Sequence, residues 1–223
     1  MTDSVNTKRR YRSRLRKDRA EQTQVAILEA ARRLFVEQGW TRTTIAAIAR
    51  EAGVATETIY AVFGNKRALL ERLVRDAIRG DAPQTPLLEQ DTVQRVADAP
   101  GQREQVRLFA RSIVAILERV APLIAAARSA AESDPRLIDL YRSLHEGRRR
   151  NLAFAAAALA RNGPLRNGMD EEAATDCLFR LASPETFLLM RTIEEKSAED
   201  FALWLETALN ALLLPAESGR QSR

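Results

Sequence analysis

Little in this chain offers covalent or metal chemistry. Its 223 residues include one cysteine, Cys177, and one histidine, His145. A lone cysteine excludes an internal disulfide framework and a cysteine-based zinc site. A lone histidine means that any histidine-based triad or metal centre has to be built around His145, and no glycine-rich phosphate loop accompanies it. No run of about 18 uncharged apolar residues occurs, so no membrane span is expected. The N-terminal stretch MTDSVNTKRRYRSRLRKDR is basic but has no apolar core after it, so it does not read as a secretory signal. The expectations are therefore no enzyme activity, no metal, no cofactor and a cytoplasmic location. What is present is ample for a fold: 45% of the residues are apolar, enough for a globular chain of one or two domains with a sizeable core.

Charge is unevenly placed. Residues 1–80 hold 17 Lys/Arg and 9 Asp/Glu, a net of +8, while residues 81–223 hold 18 and 21, a net of −3. A basic first third on a nearly neutral body implies a polyanionic partner for that third. The first 19 residues alone carry eight cations, among them Arg9, Arg10, Arg12 and Arg14. Two readings stay open for this arm: a solvated flexible tail, or a segment that contacts phosphates or enters a minor groove.

Four helices follow. In AEQTQVAILEAARRLFVEQGW, Val25, Leu28, Ala31, Leu34 and Phe35 recur at helical spacing, with Ile27 and Ala30 widening the stripe. Gly39 supplies a left-handed stop, and Trp40 is expected to pack back on the helix end. TRTTIAAIAREAGV reads as a short second helix capped by Thr43, with Ile45, Ile48 and Ala49 inward. Gly53 is then the turn glycine of a helix-turn-helix. The next helix, from Ala55 or Thr56, is barely two turns long and marginal in isolation. Its apolar side is Ile59, Val62 and Phe63, and its outward side is Thr56, Glu57, Thr58, Tyr60 and Ala61. Asn65 caps a fourth helix with Leu69, Leu70, Leu73, Val74 and Ile78 inward. Lys66 and Arg67 lie in its first turn, where the helix dipole disfavours cations by about 0.3–1 kcal/mol each, an anomaly that a phosphate would reverse.

The series Gly39, Thr43-Thr44-Ile45, Ile48-Ala49, Ala52-Gly53-Val54, Thr58-Ile59-Tyr60, Phe63 and Asn65-Lys66 resembles the DNA-binding domain of the tetracycline-repressor (TetR) family. The resemblance covers about residues 20–80, and SPETFLLM and EDFALWLETALNALLL look like the C-terminal region of some members. It implies that the third helix lies in the major groove of double-stranded operator DNA. Thr44, Thr58, Tyr60 and Lys66 fall at positions that contact DNA, and Ala55, Thr56 and Glu57 sit where base readout varies. Two departures stand out. Val62 replaces a residue that often contacts the DNA backbone, and Glu57 is acidic where many members are small or basic. Glu57 reads a cytosine amino group, points to solvent or pairs with an arginine.

The remainder reads as helical. Pro83, Pro86 and Pro100 mark 81–101 as a connection with at most a short helix. An amphipathic helix through Val106, Phe109, Ile113, Ile116, Leu117 and Val120 is expected to end before Pro122, which starts an Ala-rich helix to about Ala131. Asp134 and Pro135 open a helix to Asn162, Asp170 caps the next, Pro184 interrupts or kinks it, and Ser197 caps the last.

The fold class expected is all-α: an N-terminal three-helix helix-turn-helix DNA-binding domain and a C-terminal helical ligand-binding and dimerisation domain. The boundaries are 1–19 for the arm, 20–80 for DNA binding and 81–223 for the rest. The resemblance implies a repressor released by a small, largely apolar ligand of unknown identity. The alternative is an effector-independent DNA-binding dimer acting as an activator or architectural protein. Pocket candidates are Phe109, Ile113, Arg128, His145, Phe154 and Cys177. Of these, Arg128 has an open alternative in solvent, His145 in a structural role and Cys177 in a simple core position. Phe187, Met190, Phe201, Trp204, Leu205 and Leu209 are the candidates for a homodimer interface, against the alternative that they pack on the chain's own core.

Overall fold

A computed structural model describes the backbone of residues 3–216 and, Arg136 excepted, the side chains from Lys17 onward. All regular structure among the described residues is helical. The first helix, α1 (Asp3–Arg42), is continuous across residue 19, so the described part of the stretch expected to be a separate arm at 1–19 belongs to it. The side chains of Arg9, Arg10, Arg12 and Arg14 lie outside the described ones. The buried face of α1 is Ile27, Ala30, Ala31, Leu34 and Phe35. Val25, expected on that face, is 52% exposed. The stripe is centred on Ile27, and at 100° per residue Val25 falls outside it. Gly39 (φ 71°, ψ −176°) breaks the helical path as expected, and the Trp40 ring stacks on Phe35 with centroids 5.7 Å apart.

The break at Gly39 also corrects the expected cap of α2 (Ile45–Ala52). Thr44 is the N-cap, and its hydroxyl accepts from the Ala47 N–H at 3.0 Å. Thr43 is fully buried, with its hydroxyl 2.9 Å from the Leu34 carbonyl and 2.8 Å from that of Gly39. The terminal carbonyls of the α1 helix lack intrahelical donors, so the Thr43 hydroxyl is used there and the next threonine serves α2. Gly53 (φ 67°, ψ 31°) turns the chain into α3 (Thr56–Phe63), a left-handed conformation that glycine adopts freely. Asn65 accepts from Ala68 N–H at 2.8 Å and opens α4 (Lys66–Arg79), which buries Leu69, Leu70, Leu73, Val74 and Ala77.

After a 3₁₀ turn and the short α5 (Asp91–Ala97) comes α6 (Gln102–Ser133), a 32-residue helix. Two helices meeting at Pro122 were expected, but Pro122 lies inside α6. A helix-interior proline costs about 3 kcal/mol through one lost hydrogen bond and a ring clash. Here its neighbours Val120, Ala121, Leu123 and Ile124 are all buried, and four buried apolar side chains on both sides of the break outweigh that cost. α6 is the central element and packs against α1, α4, α5, α7 (Ile138–Arg161), α9 (Pro184–Leu188) and α10 (Ala198–Leu213). Its Arg119 Nε donates to the Ala77 carbonyl at 2.8 Å, which ties it to the last turn of α4. Gly80 (φ 60°) lies in the left-handed region that glycine adopts freely, and a Cβ there would fall 2.7 Å from the flexible tip of Arg119, which would have to shift. Asp170 caps α8 (Glu171–Leu181), Ser183 caps α9 with Pro184 in its first turn, and Ser197 with Asp200 forms a capping box on α10. Buried residues of α1–α4 and of α6–α10 form one continuous core. No described helix is long and apolar enough to cross a membrane.

Candidate nucleic-acid interface and internal cavity

The third helix is eight residues long and is held to the fold by one fully buried side chain, Ile59, with Phe63 half-buried beside it. Its other side is free. Glu57, Tyr60 and Ala61, spaced i, i+3 and i+4, are exposed, and Ala55 is exposed at the N-cap. Thr56 and Thr58 are half-buried. Val62, expected inward, is 41% exposed, because a helix this short has room for only one inward residue per turn and Ile59 and Phe63 take both turns. Thr44 is exposed at the start of α2. Glu57 makes no ion pair among the described residues, which leaves its carboxylate to whatever meets this face.

Lys66 is already engaged. Its Nζ donates to the Trp40 carbonyl at 2.6 Å and sits 4.0 Å from the centroid of the Trp40 ring. Burial draws its pKa below the ordinary lysine value. The cation in the first turn of α4 is thus explained within the fold, because it satisfies a carbonyl just past the break at Gly39. A second link, Arg33 to Glu51 at 2.9 Å, ties α1 to α2.

A cavity of about 80 Å³ lies between α5, α6, α7 and α10, with Phe109, Ile113 and Phe154 in its wall. A second, of about 60 Å³, adjoins it and reaches α4 at Val74 and Ile78. His145 lines this second lobe together with Arg148 and Asn151. Beyond it lies a polar cluster. Tyr141 donates to Glu185 Oε1 at 2.8 Å, and His145 Nε2 is 3.5 Å from the same oxygen. Burial opposes the Glu185 charge, but His145 and the Tyr141 bond outweigh it and hold its carboxyl down at about 2. Burial, with the bond to Glu185, pushes the Tyr141 phenol up to about 12. Two candidates lie elsewhere. Arg128 pairs with Glu132 at 2.9 Å and borders an outer groove. Cys177 packs on the core from α8 and lines neither lobe.

The family model for bacterial regulatory proteins of the tetR family matches residues 27–73, which is α1 from Ile27 through α4 to Leu73. Over those residues the chain is similar to the DNA-binding region of the tetR family. Among curated relatives, the HTH-type transcriptional regulator TtgR of Pseudomonas putida is 45% identical over 58 residues. That alignment spans 26% of this chain and 28% of TtgR, so the chain matches little more than a quarter of that relative's length. Solved structures extend the likeness to the whole fold. A TetR-family regulator from Mesorhizobium loti MAFF303099 has a TM-score of 0.65 at 22% identity, covering 86% of this chain and 96% of its own. NalD, the secondary repressor of the MexAB-OprM multidrug efflux pump in Pseudomonas aeruginosa, has a TM-score of 0.64 at 20% identity, with 87% and 98% covered. These relatives are transcriptional regulators, not enzymes.

The six side chains expected at a dimer interface sit largely in the monomer core. Phe201, Leu205 and Leu209 are fully buried, Phe187 and Met190 are 4% and 7% exposed, and Trp204 is half-buried against Phe201. The apolar side chains left exposed in this region are Leu189 and Ile193, on the π-helical turn after α9, and Leu203 and Leu212 on α10. Sequence reasoning also missed Gln105, Asn151, Arg148 and Glu185. Gln105 lies one turn before Phe109, and Arg148 one turn before Leu152, so each is a polar residue on an inward helical phase. That phase was the signal available.

Proposed function

We propose that the chain is a sequence-specific DNA-binding transcriptional regulator, acting as a homodimer and released from its operator by a small, largely apolar ligand. The observation that carries this reading is the outward face of α3. An eight-residue helix anchored by Ile59 presents Glu57 and Tyr60 to solvent, with Tyr60 54% exposed and neither side chain paired among the described residues. In this reading Ala55, Glu57 and Tyr60 meet base edges, while Thr44, Thr56 and Thr58 position α3 against phosphates. Lys66 supports the same surface through Trp40. Residues 20–80 are the DNA-binding unit, 81–223 hold effector and partner, and the basic residues 1–19 add phosphate contacts. A cytoplasmic location goes with this role.

One such helix offers too few base contacts for useful specificity, so two copies are required, set about one turn of DNA (~34 Å) apart. Exposed Leu189, Ile193, Leu203 and Leu212 supply the apolar face for pairing. Release by a ligand is supported by the position of the smaller lobe against Val74 and Ile78, on the same helix that begins at Lys66. NalD, which shares the fold, is described as a repressor. Recovery of genomic fragments on the purified protein, followed by anisotropy titration of the enriched sequence, tests the reading. A near-palindromic site bound well above random DNA is expected, and no enrichment over random DNA refutes it.

A further inference from the structure

The two internal lobes share Leu87, Ile113, Ile116, Asn151 and Leu152, so they form one elongated space. Most of its wall is aliphatic or aromatic, and each end carries a buried polar atom without a partner. At one end Gln105, 3% exposed, donates from Nε2 to the carbonyls of Ala97 (2.9 Å) and Ala158 (3.3 Å), while its Oε1 is buried and unmatched. At the other end the Nε of Arg148 is buried and unmatched. The rest of its guanidinium stacks 3.8 Å from the Phe179 ring and reaches the Ala182 carbonyl at 3.4 Å. Unmatched buried polar groups cost about 1–3 kcal/mol each and are exceptional in native interiors. Two of them at opposite ends of one apolar space define what would complete it.

The chemistry at the two ends differs. Gln105 Oε1 accepts, so it calls for an O–H or N–H. Arg148 donates and is a partly buried cation whose Nε is cut off from solvent. The carboxylate that acts on it, Glu185, already accepts from Tyr141, and His145 Nε2, 3.5 Å from the same oxygen, is a further buried polar atom at this end without a hydrogen-bond partner. Burial draws the Arg148 pKa down to about 10 in spite of Glu185, so its charge is only partly offset. An anion placed there would relieve that deficit. The span follows from α7: Ala158, which Gln105 contacts, lies ten residues beyond Arg148, or about 15 Å along the helix. The lobes are small, at about 80 and 60 Å³, and share part of their walls, which fits an extended chain running from one to the other better than a fused ring system.

We propose that the effector is an elongated, aliphatic monocarboxylic acid with a hydrogen-bond donor at its far end, its carboxylate held by Arg148 and its donor by Gln105. This rests on the reading of the cavity as an effector site, and it assigns the ligand class and the two residues that select it. Arg148 is the specificity determinant for charge, and Gln105 that for the distal hydroxyl or amine.

The test uses the full-length protein and four probes in calorimetric titration: 10-hydroxydecanoic acid, decanoic acid, methyl 10-hydroxydecanoate and 1,10-decanediol. The hydroxy acid is expected to bind at least about tenfold more tightly than its methyl ester, the scale of one charge-assisted hydrogen bond. It is also expected to exceed decanoic acid by a smaller factor. Arg148→Met should remove the preference for the acid, Arg148→Lys should retain part of it, and Gln105→Leu should remove the preference for the hydroxyl. The probe series on the unaltered chain keeps the test informative if a variant fails to fold. Equal binding of acid and ester, or no binding of the hydroxy acid at millimolar concentration, overturns the inference. Release of an operator fragment is then measured separately. A hydroxy acid that binds through Arg148 but leaves the operator complex intact upholds the ligand class and defeats the release reading.

Discussion

Replacing Lys66 by methionine separates two roles that one side chain could play. The stem keeps its apolar contact with Trp40, and the ammonium is lost. In the structure that ammonium donates to the Trp40 carbonyl at 2.6 Å and lies 4.0 Å from the ring centroid. A hydrogen bond from a charged donor contributes about 1.5–3 kcal/mol, and a cation over an indole about 0.5–1 kcal/mol at an exposed site. The partial burial that lowers the Lys66 pKa opposes both. A net loss of roughly 1–2 kcal/mol follows, which for a chain of this length is about 2–8 °C in Tm at roughly 2–4 °C per kcal/mol. The assay is thermal unfolding of the DNA-free protein, run beside anisotropy titrations on operator and random duplexes. Affinity should fall by a similar factor for both duplexes, because Lys66 holds the surface rather than reading bases. A variant that melts within about 1 °C of the parent refutes the reasoning, since a contact worth so little would leave Lys66 free to serve only as a phosphate ligand.

Charge placed at Leu205 or Leu209 should unfold the chain, since both are fully buried and an unpaired buried charge costs several kcal/mol. Ile193→Asp with Leu203→Asp, at positions 73% and 51% exposed, should leave helicity intact and give a monomer in sedimentation. For Glu185, the folded carboxyl is lowered from 4.5 to about 2, so its contribution is present above 4.5 and is lost as pH falls toward 2. Urea midpoints of Glu185→Gln should therefore fall less steeply than the parent's across that interval, and identical slopes would remove Glu185 as the source. Deleting residues 1–19 should reduce the salt slope of operator binding, because fewer counterions are released. An unchanged slope makes the arm a tail.

The helical plan was legible because it rests on local chemistry. Gly39, Gly53 and Asn65 act at the positions where φ, turn geometry or a side-chain cap require them. Asp170 and Ser197 do the same at the starts of α8 and α10. Thr43 and Thr44 were interchanged because two adjacent threonines are equivalent to a capping rule. Only the carbonyls of Leu34 and Gly39, both of which accept from the Thr43 hydroxyl, distinguish them. Pro122 misled for a related reason. Its local cost was read correctly, but the compensation comes from Ala121, Leu123 and Ile124 packing on other helices, which no local rule contains.

The site divides along the same line. The outward residues of α3 follow from a period of 3.6 and a single anchor, so Glu57 and Tyr60 could be placed from sequence. The pocket could not, because its wall is made by residues from several helices whose relative rotation is a tertiary fact. Phe109, Ile113 and Phe154 were found because large apolar residues on facing helices are good guesses for any interior. Of the two readings of Arg128, pocket wall or solvent, its side chain at 59% exposure and its pairing with Glu132 one turn on favour the second. The face of α10 shows the limit most clearly. Phe201, Leu205 and Leu209 follow i, i+4, i+8 spacing, which identifies a buried stripe without saying which partner buries it. Within one chain the answer is α6 and α8, with Phe187 of α9 edge-on to Phe201 at 5.0 Å. A second chain therefore has to use what that stripe leaves outside. Leu203 and Leu212, lying off its axis and paired with no role in the monomer, are the residues whose exposure carries information about assembly.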